Sequence, residues 1–123
     1  MIRIIEKKLS QNELLELCRV HFDTMVKFVI DIQRWKMAVG GELDADGEAL
    51  LLADGSEHKD LWGGNFYPWA EPDKRIEWTS FVNVRPMDDH PFMEIQNEQV
   101  RSKAAEWVER LLLASNEFME IQS

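Results

Sequence analysis

Hydrophobic and polar positions change period several times along this chain, and each change predicts an element. Ile2 to Glu6 reads as a short strand. Ser10 then stands where a helix N-cap belongs, with Glu13 three residues on to complete a capping box. Behind it Leu14, Leu17, Cys18 and His21 recur at spacings of three and four, one apolar stripe of an amphipathic helix. From Thr24 to Ile32 the period falls to two: Val26, Phe28, Ile30 and Ile32 alternate with Met25, Lys27, Val29 and Asp31, which predicts a half-buried strand. Gln33 and Arg34 turn the chain into a second strand, Trp35 to Val39.

The next stretch, MAVGGELDADGEALLLADGSEHKDLWGGNFY from Met37 to Tyr67, places glycine pairs beside strands at Gly40-Gly41 and Gly63-Gly64. Such glycines mark bulges or close backbone approaches. Between them, Asp46 to Ala53 predicts a short helix closed by Gly55. Leu61 to Tyr67 returns to strand, and Arg75 to Arg85 alternates through Ile76, Trp78, Ser80, Val82 and Val84 as the longest predicted strand. After a polar loop, Asn97 caps a final helix whose Val100, Ala104, Trp107, Val108, Leu111 and Leu112 share a face. The tail from Ser115 to Ser123 is expected to fray. Strands in hairpin-like succession with helices at the ends predict an α+β domain. Its mainly antiparallel sheet has four to five strands, with an N-terminal and a C-terminal helix packed on it.

Composition narrows this picture. A chain of 123 residues with 45% hydrophobic content and five tryptophans is one globular domain, residues 1–123. No apolar run approaches a membrane span, and the start lacks the apolar core of a signal peptide, so a cytoplasmic protein is expected. The single cysteine, Cys18, lies in the helical stripe and reads as a core residue. With 23 acidic and 14 basic side chains, a net charge of −9 and no basic run longer than two, the chain argues against nucleic acid as a partner.

Candidate chemistry is sparse. Glu42, Asp44 and Asp46 alternate before Gly47 like the first half of a calcium loop, but the ninth and twelfth positions are Leu50 and Ala53. The three acids stand as a weak divalent-metal site needing ligands from elsewhere, and no cofactor is otherwise predicted. His21 lies beside the first helix's stripe; His58 and His90 have acidic neighbours, yet neither belongs to a zinc pattern. No GxSxG, GxxxxGK[ST] or GxGxxG occurs. The sharper polar set is Asp60, Trp62, Gly63 and Asn65 in or beside one predicted strand with Ser80, Asn83 and Arg85 on another. If the two strands are neighbours, these residues line a small ligand pocket. An arginine there suits a carboxylate or phosphate.

At these positions the chain resembles a small bacterial domain-of-unknown-function family with GGELHAD, GS…DLWGxNxYP and INIRP-like motifs. The matching residues are Gly40-Gly41-Glu42-Leu43, Ala45-Asp46, Gly55-Ser56, Asp60-Leu61-Trp62-Gly63, Asn65, Tyr67-Pro68 and Val82-Asn83-Val84-Arg85-Pro86. The resemblance covers most of the chain and implies no chemistry. Where the motif has histidine this chain has Asp44, which would not serve as a base near neutral pH. The reading is therefore a protein-interaction or small-ligand-binding module rather than an enzyme, expected as a homodimer and with an unknown protein or small molecule as partner. The alternative is a metal-assisted hydrolase built on the acidic segment 42–48.

Overall fold

A computed structural model describes residues 1–85, 87 and 90–120. Five strands form one antiparallel sheet: β1 (Ile2–Ile5), β2 (Val26–Asp31), β3 (Lys36–Gly40), β4 (Leu61–Phe66) and β5 (Ile76–Glu77), in the order β1-β3-β2-β4-β5. Helix α1 (Gln11–His21) joins β1 to β2, α2 (Asp44–Ala53) joins β3 to β4, and α3 (Glu98–Leu111) closes the fold. The α+β class, the antiparallel sheet and the two terminal helices are as the sequence predicts.

The topology explains where the helices lie. β1 and β2 both run antiparallel to β3, so α1 makes a crossover between parallel strands; α2 does the same between β3 and β4. Both connections step the same way along the sheet, but their strands point in opposite directions. Right-handed connections then demand opposite faces. Accordingly, α1 and α3 bury Leu14, Leu17, Cys18, Ala104, Val108 and Leu111 with Phe28, Ile30, Met37 and Val39. On the other face α2 packs Leu51 against Val29, Ala38, Leu61 and Val82, a much smaller core. This second layer goes beyond the two helices expected on the sheet.

The predicted capping box of α1 is complete: the Ser10 hydroxyl accepts from the Glu13 N–H, and the Glu13 carboxylate accepts from the Ser10 N–H. That backbone bond first, and the Arg3 guanidinium next, lower the Glu13 carboxyl from 4.5 to about 2. Cys18 is buried in the core, and burial pushes its thiol up to about 12, so it is inert. The Gln33-Arg34 turn is held by the Asp31 carboxylate, which accepts from both of their backbone N–H groups and from the Ser56 hydroxyl.

Two expectations are corrected. The strand predicted over Arg75 to Arg85 survives only as β5, Ile76–Glu77. Beyond it, Trp78 and Ser80 bond to Ile95 and Met93, and the Ser80 hydroxyl accepts from the Val82 N–H to start a 3-10 turn, Phe81–Asn83. A strand needs a ladder partner along its length, and here the chain leaves β4 after Glu77. The tail expected to fray is instead tied down as far as Glu120. The Arg75 guanidinium donates to the carbonyls of Ala114 and Glu117, Gln11 donates to that of Phe118, and Met119 is buried. Residues 121–123 lie outside the described residues. Among the described residues, no helix is long and apolar enough to cross a membrane.

Candidate functional site

The outer edge of β4 is where the predicted pocket residues gather, and they divide by role. Gly63 should bond outward to a neighbouring strand, but β5 has already ended. The Asn83 carboxamide takes that strand's place: its oxygen accepts from the Gly63 N–H at 2.8 Å, and its nitrogen donates to the Gly63 carbonyl at 3.0 Å and to the Met93 carbonyl at 2.9 Å. Ser80 packs directly on Gly63, where an added Cβ would stand 2.7 Å from its hydroxyl oxygen. Gly63, Ser80 and Asn83 thus form a buried joint.

Trp62 and Arg85 are covered by the chain itself, at 9% and 5% exposure. The guanidinium lies 3.9 Å over the indole and donates to the Lys59 carbonyl, while His90 meets the indole edge-on at 5.2 Å. The Gln96 N–H donates to His90 Nε2, so Nδ1 carries the proton and donates to the Asn83 carbonyl. Both ring nitrogens are thereby engaged. Asp88 and Asp89, the acidic neighbours that motivated a metal role for His90, lie outside the described residues. Asp60 ends a 3-10 turn, His58–Asp60, and burial, followed by the nearby Asp31 charge, raises its carboxyl.

Asn65 faces the other way, into a polar row on the α2 side of the sheet. Lys27, Asn65 and Glu77 are direct cross-strand partners on β2, β4 and β5. Lys27 Nζ stands 2.6 Å from Asp44 Oδ1 and 3.5 Å from Asn65 Oδ1, and Asn65 Nδ2 donates to Glu77 at 2.7 Å. Tyr67 adds its hydroxyl to the same Glu77 oxygen at 3.2 Å, and burial, reinforced by the Glu77 charge, raises the phenol. The second oxygen of Asp44 accepts from the Phe81 N–H at 3.0 Å, tethering the 3-10 turn to the start of α2.

Above the Lys27–Asp44 pair lies a groove of about 390 Å³ walled by Leu43, Ala45 and Phe81. Both large walls are exposed, Leu43 at 63% and Phe81 at 70%. Phe81 points outward because Val82 and Asn83, the rest of its turn, face inward. Leu43 occupies the N-cap of α2, where a polar side chain is preferred by about 1 kcal/mol. Its own side chain makes no cap bond; Asp46 reaches back to the N–H groups of Leu43 and Glu42 instead. Local stability therefore gives no reason for a leucine here.

The acidic run Glu42, Asp44 and Asp46 is dispersed by these bonds. Asp44 faces Lys27, Asp46 caps the helix, and Glu42 is exposed. Among the described residues, no three His, Cys, Asp or Glu side chains gather as metal ligands. The sequence reading missed Leu43 as a wall, although it lies in the flagged segment, and missed Phe81 by placing it on a strand.

Residues 3–111 match the family described as protein of unknown function, DUF5674. The chain belongs to that family. No curated protein and no solved structure matches the chain.

Proposed function

We propose that this DUF5674 domain is a protein-interaction module that receives its partner over the groove between Leu43 and Phe81. The observation that carries the reading is the exposure of these two side chains on either side of a half-buried Lys27–Asp44 pair. Exposed apolar walls around a fixed polar floor suit a partner that inserts an apolar side chain and sets a charged or hydrogen-bonding group beside it. Asn65 belongs to this site, through the row that holds Lys27. Gly63, Ser80 and Asn83 support it as the joint that fastens the Phe81–Asn83 turn to β4, and Arg85, just beyond that turn, stacks on Trp62. The hydrolase alternative draws less support, because Asp44 and Asp46 spend their oxygens in different directions.

The double variant Leu43→Ser, Phe81→Ser tests the reading. Immobilised wild type and variant are compared by quantitative mass spectrometry of the proteins each retains from source cells, with melting curves recorded alongside. The expected result is a retained protein that the variant loses at an unchanged melting temperature. Equal retention by both contradicts the proposed surface.

A further inference from the structure

At the opposite edge of the sheet from this groove, β1 carries a second surface. The Gly41 N–H donates to the Met1 carbonyl, so in the β1–β3 ladder Met1, Arg3 and Ile5 bond inward. Alternation then turns the N–H and C=O groups of Ile2 and Ile4 outward. No strand, proline or bulge covers this edge among the described residues, and three of the four β1 residues are isoleucine. Such an edge is a template for another strand.

We propose that the edge pairs with β1 of a second copy of this chain, antiparallel about a two-fold axis through Ile4. Charge selects both the occupant and the register. One end of the edge adjoins a groove of about 540 Å³ lined by Met1, Ile2, Leu50 and Ala53 and rimmed by Glu42 and Asp46. The other end has an excess of bases, with Arg3, Lys7, Lys8 and Lys36 against Glu6 and Glu13. Lys8 holds Glu117, Lys36 holds Glu6 and Asp54, and Arg3 holds Glu13. Lys7 and Glu42 are left without an ion partner among the described residues. Antiparallel self-pairing brings the acidic end of each copy to the basic end of the other. Glu42 then stands two strand spacings, roughly 10 Å, from the Lys7–Lys8 turn of the partner subunit, within the combined reach of the two side chains.

Three registers align outward-facing groups. Ile2 against Ile4 sets Arg3 opposite Arg3 of the partner subunit, a like-charge pair that destabilises. Ile2 against Ile2 leaves Ile4 outside the partner's β1 strand. Ile4 against Ile4 sets Arg3 opposite Ile5 and joins the apolar grooves beside α2 in one continuous sheet of ten strands.

Native mass spectrometry over a dilution series reads the assembly directly, and a concentration-dependent two-chain mass is expected. Lys7→Glu raises the dissociation constant about tenfold, roughly 1.4 kcal/mol, and adding Glu42→Lys restores it. Under mild oxidation Ile4→Cys gives a disulfide-linked dimer and Ile2→Cys does not, with Cys18 too deeply buried to interfere. A single-chain mass at every concentration overturns the proposal and leaves the edge to a foreign strand. A two-chain mass indifferent to Lys7→Glu and cross-linked through position 2 overturns this interface.

Discussion

Replacing Asn83 by alanine is expected to destabilise the domain by about 3 kcal/mol or more, because one buried carboxamide satisfies three backbone groups. The Gly63 N–H and carbonyl sit in the middle of the sheet's edge, roofed by Ser80, and Asn83 itself is fully buried. Alanine leaves these groups and the Met93 carbonyl without their partner, and no strand is at hand to replace it. The loss also frees the Phe81–Asn83 turn, since Asn83 is what fastens that turn to β4. Urea unfolding measures the first effect. A destabilisation under about 1 kcal/mol would mean that the carboxamide is not acting as a substitute strand. Asn83→Asp makes a useful companion: its oxygens can still accept from the Gly63 N–H but have nothing to donate to the two carbonyls.

Gly64→Ala is expected to cost about 3 kcal/mol, at the upper end of overpacking effects. An added Cβ would lie 2.6 Å from the Glu77 carbonyl oxygen and 2.7 Å from Phe28 Cζ. The first neighbour is backbone held in the β4–β5 ladder, and the second is a ring buried at the centre of the core, so neither can give way cheaply. Gly55→Ala separates clash from strain. Gly55 has φ of +104°, but the nearest atoms to an added Cβ are those of the Arg34 side chain at 3.7 Å or more. Backbone strain alone should cost it about 1 kcal/mol. Equal costs at positions 55 and 64, compared by chemical denaturation, would contradict the packing argument for β4.

Much of this was legible in the sequence because local chemistry and tertiary context agree. Ser10 and Glu13 announce α1, Asn97 announces α3, and the Val26 to Ile32 alternation survives as β2 because one face meets α1 and the other α2. The strand predicted over Arg75 to Arg85 failed where alternation was the only support. Ser80 and Asn83 are poor strand residues whose side chains compete for backbone groups, and here they win, one starting a turn and the other capping β4. The second layer could not be read from periodicity. The α2 stretch is apolar on several sides, and its place follows only from a strand order that puts β3 between β1 and β2.

The site was half legible for the same reason. Gly63, Gly64, Asn83 and Arg85 stand out in the sequence as glycines and polar residues in strand-like stretches, and Gly63 and Asn83 meet in the buried joint at the edge of β4. Leu43 and Phe81 carry no such signature. An exposed leucine or phenylalanine looks like core until the structure shows that nothing covers it.

Photo-crosslinking from position 81 probes the groove directly. A benzophenone amino acid replaces Phe81 in one protein and Lys103, on the exposed side of α3, in another, and both are irradiated in source-cell extract. A discrete adduct of defined mass is expected from position 81, absent from position 103 and lost when Leu43→Ser is added. No adduct from position 81, or the same adducts from both positions, would contradict the claim that this groove is where the domain meets its partner.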